Sequence, residues 1–154
     1  MNYLSLTNVS ELLRQRKVSS VELVTECLGR IDRLNPPLRA FITVTADQAL
    51  TEAKRADADL ADGNWKGPLH GVPVGIKDFF DTAGVRTTAG FAAFENRVPK
   101  KDAEAVSRLK EAGAIVVGKT TMRSPSRNES FKRLSTKGCP SLGMCCSKPY
   151  GLKK

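Results

Sequence analysis

A chain of 154 residues with 40% hydrophobic and 27% charged residues has the composition of one soluble globular domain with a real core. No apolar stretch approaches the ~20 residues of a spanning helix, and Met1–Leu6 lacks a basic start followed by a long apolar run, so neither a membrane span nor a secretory signal is expected and the cytoplasm is the expected location. The net charge of +9 would suggest a polyanion partner, but residues 1–122 hold 17 Lys and Arg against 15 Asp and Glu, whereas residues 123–154 hold eight against Glu129 alone.

In chain order, Thr7 or Asn8 is placed to cap a short helix carrying Val9, Leu12 and Leu13, with Arg14, Arg16 and Lys17 suited to its carboxyl end. Ser19 and Glu22 form a capping box ahead of a second helix. Its residues Val21, Val24, Cys27, Leu28, Ile31 and Leu34 fall on one face, and Asn35-Pro36-Pro37 is expected to stop it. Ala40–Val44 reads as a short strand. Thr45 and Gln48 repeat the capping-box pattern before a helix with Ala46, Ala49, Leu50, Ala53, Ala56 and Leu60 inward, ended by Asp62-Gly63-Asn64.

After a loop, Val72–Ile76 reads as an apolar strand whose Pro73 prefers an edge or first position. Asp102 is placed to cap a helix burying Ala105, Val106, Leu109 and Ala112. Gly113 suits the position just past its end, and Ala114–Val117 follows as a buried strand. Strand, helix and strand in this order predict an α/β sheet with crossover helices. Beyond Met122 the periodicity stops, and Arg123–Lys154, rich in Ser, Lys, Arg, Gly and Pro, is expected to be a disordered or loosely attached tail. The expected organisation is therefore a body at 1–122 and a basic, cysteine-containing tail at 123–154.

Lys77 is the leading candidate for chemistry. It follows the apolar run Val72–Ile76 and precedes Phe79-Phe80. Desolvation disfavours a charged amine, and a neutral amine is able to act as a base. The competing reading is a surface lysine paired with Asp78. Asp78 and Asp81 suit orienting Lys77 or capping a turn better than acid–base work of their own. His70, the single histidine, supports no Cys-His or Ser-His-Asp system and reads as a loop residue.

The segment Gly67-Pro68-Leu69-His70-Gly71-Val72-Pro73-Val74-Gly75-Ile76-Lys77-Asp78, together with Gly118-Lys119-Thr120-Thr121-Met122, resembles the amidase-signature family over about four-fifths of the chain. The resemblance implies the N-terminal part of that α/β fold, a mixed sheet flanked by helices and incomplete here, in enzymes that hydrolyse a carboxylic amide C–N bond. It implies a Ser–cisSer–Lys arrangement with Lys77 at the catalytic-lysine position, a bridging serine held by a cis peptide, a nucleophilic serine and a glycine-rich oxyanion loop. No metal or organic cofactor is implied. Within the family the chain resembles the amide-hydrolysing component of the glutamyl- or aspartyl-tRNA amidotransferase, which implies glutamine, sister subunits and tRNA as partners; a simple amidase implies an amide-containing small molecule.

In the family both serines lie beyond the Gly-Lys-Thr segment, in a Gly-Gly-Ser-Ser-Gly-Gly-like stretch. This chain has no Gly-Gly pair, and Ser124, Ser126, Ser130, Ser135, Ser141 and Ser147 stand in unrelated contexts, so inactivity alone is expected. The departure at Arg123 fits a frameshift, a mis-spliced exon or a mistaken gene model, the alternative being a divergent tail. Lys119 is expected to be structural, following a buried strand. Cys139, Cys145 and Cys146 lack Cys-x-x-Cys spacing and read as free thiols rather than a zinc site. The basic residues Arg123, Arg127, Lys132, Arg133 and Lys137 are able to touch phosphate without specificity. A rival function is a non-catalytic binding protein made of an amidase-like half-fold and this basic tail.

Overall fold

The computed structural model describes residues 4–122. The tail expected at 123–154, with its cysteines, serines and basic run, lies outside the described residues. Four α-helices and three strands follow one another among the described residues: α1 (Leu6–Arg14), α2 (Ser20–Leu38), β1 (Phe41–Val44), α3 (Ala46–Ala61), β2 (Pro73–Lys77), α4 (Glu104–Glu111) and β3 (Ile115–Thr120). The strand order is β1-β3-β2, with β1 antiparallel and β2 parallel to the central β3. α4 makes the crossover that a parallel pair requires. The expected mixed α/β sheet with flanking helices is therefore the observed architecture.

β3 is covered on both faces, which is why it opens on the continuous apolar run Ile115–Val117. One face packs Ile115 and Val117 against Val24 and Ile31 of α2 and Ala49, Ala53 and Ala56 of α3. The other packs Val116, with Ile76 of β2, against Val106 of α4. Alanines along α3 let that helix lie close to the sheet. Asp57 of α3 accepts from the Ser20 and Val21 N–H groups at 2.7 and 3.1 Å, so one helix supplies the cap of another. Arg16 does the converse at the opposite end, donating to the Leu60 and Ala61 carbonyls at the end of α3 at 2.8 and 3.2 Å.

Several boundaries differ from the sequence expectation, each for a local reason. Ser5, rather than Thr7 or Asn8, caps α1 by accepting from Asn8 N–H at 3.2 Å. The capping box of Ser19 and Glu22 is present in full. Pro36 and Pro37 do not stop α2, which runs on to Leu38. Proline's fixed φ is compatible with a helix, and the Asn35 side chain pins the exit by bonding both N–H and C=O of Phe41 at 2.8 and 3.1 Å. Thr45 makes no cap for α3; its hydroxyl donates across to Val116 O at 2.9 Å. Likewise Ala103 occupies the cap position of α4 without a side-chain bond, while Asp102 turns back to accept from Ala83 N–H at 2.7 Å. In α4 Val106 is buried, Leu109 and Ala112 are half-buried, and Ala105, one step around the helix, is exposed. Pro73 does open its strand and β2 is an edge, as its missing donor requires.

Candidate functional site

Lys77 is the last residue of β2 and lies beside Thr120 of β3 in register. The chain turns sharply there. Phe80 N–H donates back to Lys77 O at 3.0 Å, and Asp78 N–H donates to Thr120 O at 2.9 Å. The Lys77 side chain is exposed and makes no ion pair among the described residues. Residues 4–122 therefore do not supply the burial expected of it. Nor is it a surface lysine paired with Asp78, the competing expectation.

Asp78 instead is buried and committed elsewhere. Its carboxylate accepts from Thr88 N–H at 3.1 and 3.2 Å and from the Thr88 hydroxyl at 2.5 Å, while Ala89 N–H donates to its carbonyl at 3.1 Å. It closes the loop that follows Lys77, in keeping with a turn-capping role. Asp81 forms a two-pronged pair with Arg97, both bonds 2.6 Å. That guanidinium holds the Asp81 carboxyl below the ordinary carboxylate range. For Asp102, burial pushes the pKa upward, but the Lys110 ammonium at 2.8 and 3.0 Å and the Ala83 N–H outweigh it, so the net shift is downward.

Lys119, expected after the strand, lies inside β3 and is completely buried. Its ammonium donates to Phe80 O, to the Thr82 hydroxyl at 3.0 Å and to the Thr87 hydroxyl at 2.9 Å. Burial pushes its pKa down, opposed by the Asp78, Asp81 and Asp102 carboxylates. Nothing in the sequence marks this cluster, because Thr82 and Thr87 are thirty-odd residues away with no spacing pattern to connect them. The lysine inside a β-branched run is the one available signal.

His70 sits in a turn as expected, yet it is buried. Nε2–H donates to Ala56 O at 2.8 Å and Nδ1 faces the Lys66 N–H at 3.3 Å, so both nitrogens are occupied. Next to it, Gly71 has φ +74°, and a Cβ there would collide with Ser20 Oγ. The glycine is needed both for the turn and for the close approach of α2. His70 thus builds the route into β2 and is not brought to Lys77 as a partner. Just after Lys77 in the chain, Phe79 and Phe80 are 60% and 41% exposed, and farther along the loop Phe91 and Phe94 are 65% and 44% exposed. None of the described serines is brought to Lys77 by a hydrogen bond.

A profile described as Amidase matches residues 22–126. The chain is 44% identical over 119 residues to a putative amidase AmiD of Mycobacterium tuberculosis, covering 77% of this chain and 25% of that protein. It is 47% identical over 116 residues to the glutamyl-tRNA(Gln) amidotransferase A-type subunit of Geotalea daltonii, covering 75% and 24%. Among solved structures it resembles the native peptide amidase from Stenotrophomonas maltophilia, with a TM-score of 0.73 and 37% identity over 77% of this chain and 25% of that one. The chain spans about a quarter of the length of the curated relatives it matches. With the fold, the strand ending in Lys77 and these matches in agreement, the chain belongs to the Amidase family.

Proposed function

We propose that this chain carries the lysine of a Ser–cisSer–Lys amide hydrolase, in which Lys77 is the base and the reaction is cleavage of a carboxylic amide C–N bond. The observation that carries the reading is the placement of Lys77. It ends a strand of the family fold, its side chain is exposed and free of any ion pair among the described residues, and the exposed Phe79 and Phe80 follow it in the chain. An amine so placed becomes a base when further protein covers it and removes water, because desolvation favours the uncharged form. A bridging serine would pass its proton to Lys77 and take one from a second serine as that serine attacks the carbonyl carbon; the C–N bond would then break, the proton returning by the same route to the leaving nitrogen, and water would release the acyl group. Neither serine has a counterpart in this sequence, so the 154-residue chain is inactive alone in this reading. The relatives named as amidotransferase subunits support a finer version, in the cytoplasm, with glutamine as the amide, sister subunits as partners and tRNA as the acceptor's carrier.

The test is to graft a family-like continuation after Met122 and compare Lys77→Arg with Lys77→Ala. Arginine keeps the charge but stays protonated, so both variants should lose at least ~10²-fold in turnover if Lys77 is the base. Near-normal turnover in Lys77→Arg would overturn the assignment. Glutamine or aryl-amide turnover by the ungrafted chain, abolished by Lys77→Ala, would overturn its inactivity.

A further inference from the structure

We infer that Lys119 is a positioning residue for Lys77, its ammonium clamping the turn through which the chain leaves β2. The connection is short and continuous. Lys77 O accepts from Phe80 N–H at 3.0 Å, and the carbonyl of that same Phe80 accepts from Lys119 Nζ. The remaining two ammonium protons are directed to Thr82 and Thr87, so one buried cation directs all three donors to a single loop. Asp78, between Lys77 and this loop, is tied by its N–H to Thr120, the residue after Lys119.

Three features argue that this is more than a lysine filling space. Among the described residues, the three oxygens that accept from Nζ all belong to the 80–87 loop, and no carboxylate pairs with it directly. Burial pushes its pKa down, and the Asp78, Asp81 and Asp102 carboxylates at longer range favour its charged form against that burial. A bulge between Val74 and Gly75 also shifts the register, so that Ile76 lies beside Lys119 instead of Gly118. A bulge that re-aims one side chain is a specific feature of a strand pair, and here the side chain it re-aims is the clamp. An apolar residue of similar length would fill the volume but would leave Phe80 O and the two hydroxyls without their donor.

That Lys77 performs chemistry rests on the function proposed above; the clamp itself does not. The experiment therefore uses the intact 154-residue chain and reads amide hydrogen exchange, with no turnover needed. Lys119→Met keeps the unbranched stem and removes the charge. Exchange at Phe80, Val85 and Thr88 should accelerate roughly tenfold to a hundredfold, the loss expected for a charge-assisted hydrogen bond, while α2 and α3 amides keep their rates. Thr82→Val and Thr87→Val should each accelerate the same amides, and adding either to Lys119→Met should bring no further change, because the three groups act as one unit. A nitrogen-15 spectrum of the wild type should contain a slowly exchanging ammonium signal that Lys119→Met removes, a signature that a packing role does not produce. Wild-type exchange rates in Lys119→Met, additive effects of the threonine variants, or absence of the ammonium signal would each overturn the inference. Should Lys119→Met unfold the chain throughout, the two threonine variants decide: loosening confined to 78–88 supports the clamp, and unchanged exchange there rejects it. Failure of Lys77 as base in the grafted enzyme would leave all these rates untouched, so the two ideas fail separately.

Discussion

The two sides of this molecule are held by different physics. Where β3 meets α2 and α3, Ile115, Val117, Val24, Ile31 and a row of alanines close the core chiefly by apolar contact. From Asp78 to Pro99 there is one short 3-10 turn, Ala92–Phe94, and the path is fixed by Asp78 on Thr88, Asp81 on Arg97, Asp102 on Ala83 and Lys119 on three oxygens. Val85 is buried there, but Phe79, Phe80, Phe91, Phe94 and Val98 are exposed. Apolar burial is non-directional and builds layers. Hydrogen bonds are directional, and they specify a loop whose backbone repeats no regular pattern. The contrast also separates stability from chemistry, because the candidate catalytic lysine belongs to the side that contributes little apolar burial.

Substitutions on the two sides should therefore behave differently, and the largest loss is expected in the helix-side core. Ile115→Ala should cost about 2–5 kcal/mol in urea unfolding, as for other large-to-alanine changes in packed sites. A value under ~1 kcal/mol would mean that this core is looser than its burial suggests. Gly71→Ala comes next, at about 3 kcal/mol, since it combines a positive φ with a Cβ driven into Ser20 Oγ. Adding Ser20→Gly should recover only part of that loss, leaving the backbone strain; full recovery would remove strain from the explanation.

On the polar side the effect should be smaller and dependent on pH. Asp102 has its pKa depressed in the folded chain, so its contribution is fully present above the unfolded carboxyl range near pH 4 and is lost as pH falls through the folded value. Lys110→Met should lower stability by about 1 kcal/mol at pH 7 and reduce the acid sensitivity below about pH 4. Equal acid sensitivity in both proteins would assign that slope to other carboxylates. The smallest effect should come from Lys77→Ala, within ~0.5 kcal/mol, because the side chain is exposed and makes no ion pair among the described residues. A large loss would make Lys77 a structural residue after all.

The sequence by itself determined the helices and strands of the body and pointed to Lys77. Helical spacing and a Ser-x-x-Glu cap mark α2, an alanine stripe marks α3, and a glycine after α4 marks its end; all of these are local signals between neighbours in the chain. It also carried the restrictive segment from Gly67 to Asp78 on which the family resemblance rests. Tertiary structure decided what long-range partners decide. Thr45 and Asp102, both legible as caps, are drawn away to Val116 and Ala83, because a partner across the fold satisfies them instead. Pro36 and Pro37 remain inside α2 because Asn35 fastens the exit to Phe41. The register of β2 on β3 sets Ile76 beside Lys119, whose ammonium meets oxygens of a loop more than thirty residues earlier in the chain. Periodicity shows which face of an element is apolar; the partner of a buried charge depends on register, and register is settled only when the strands pair.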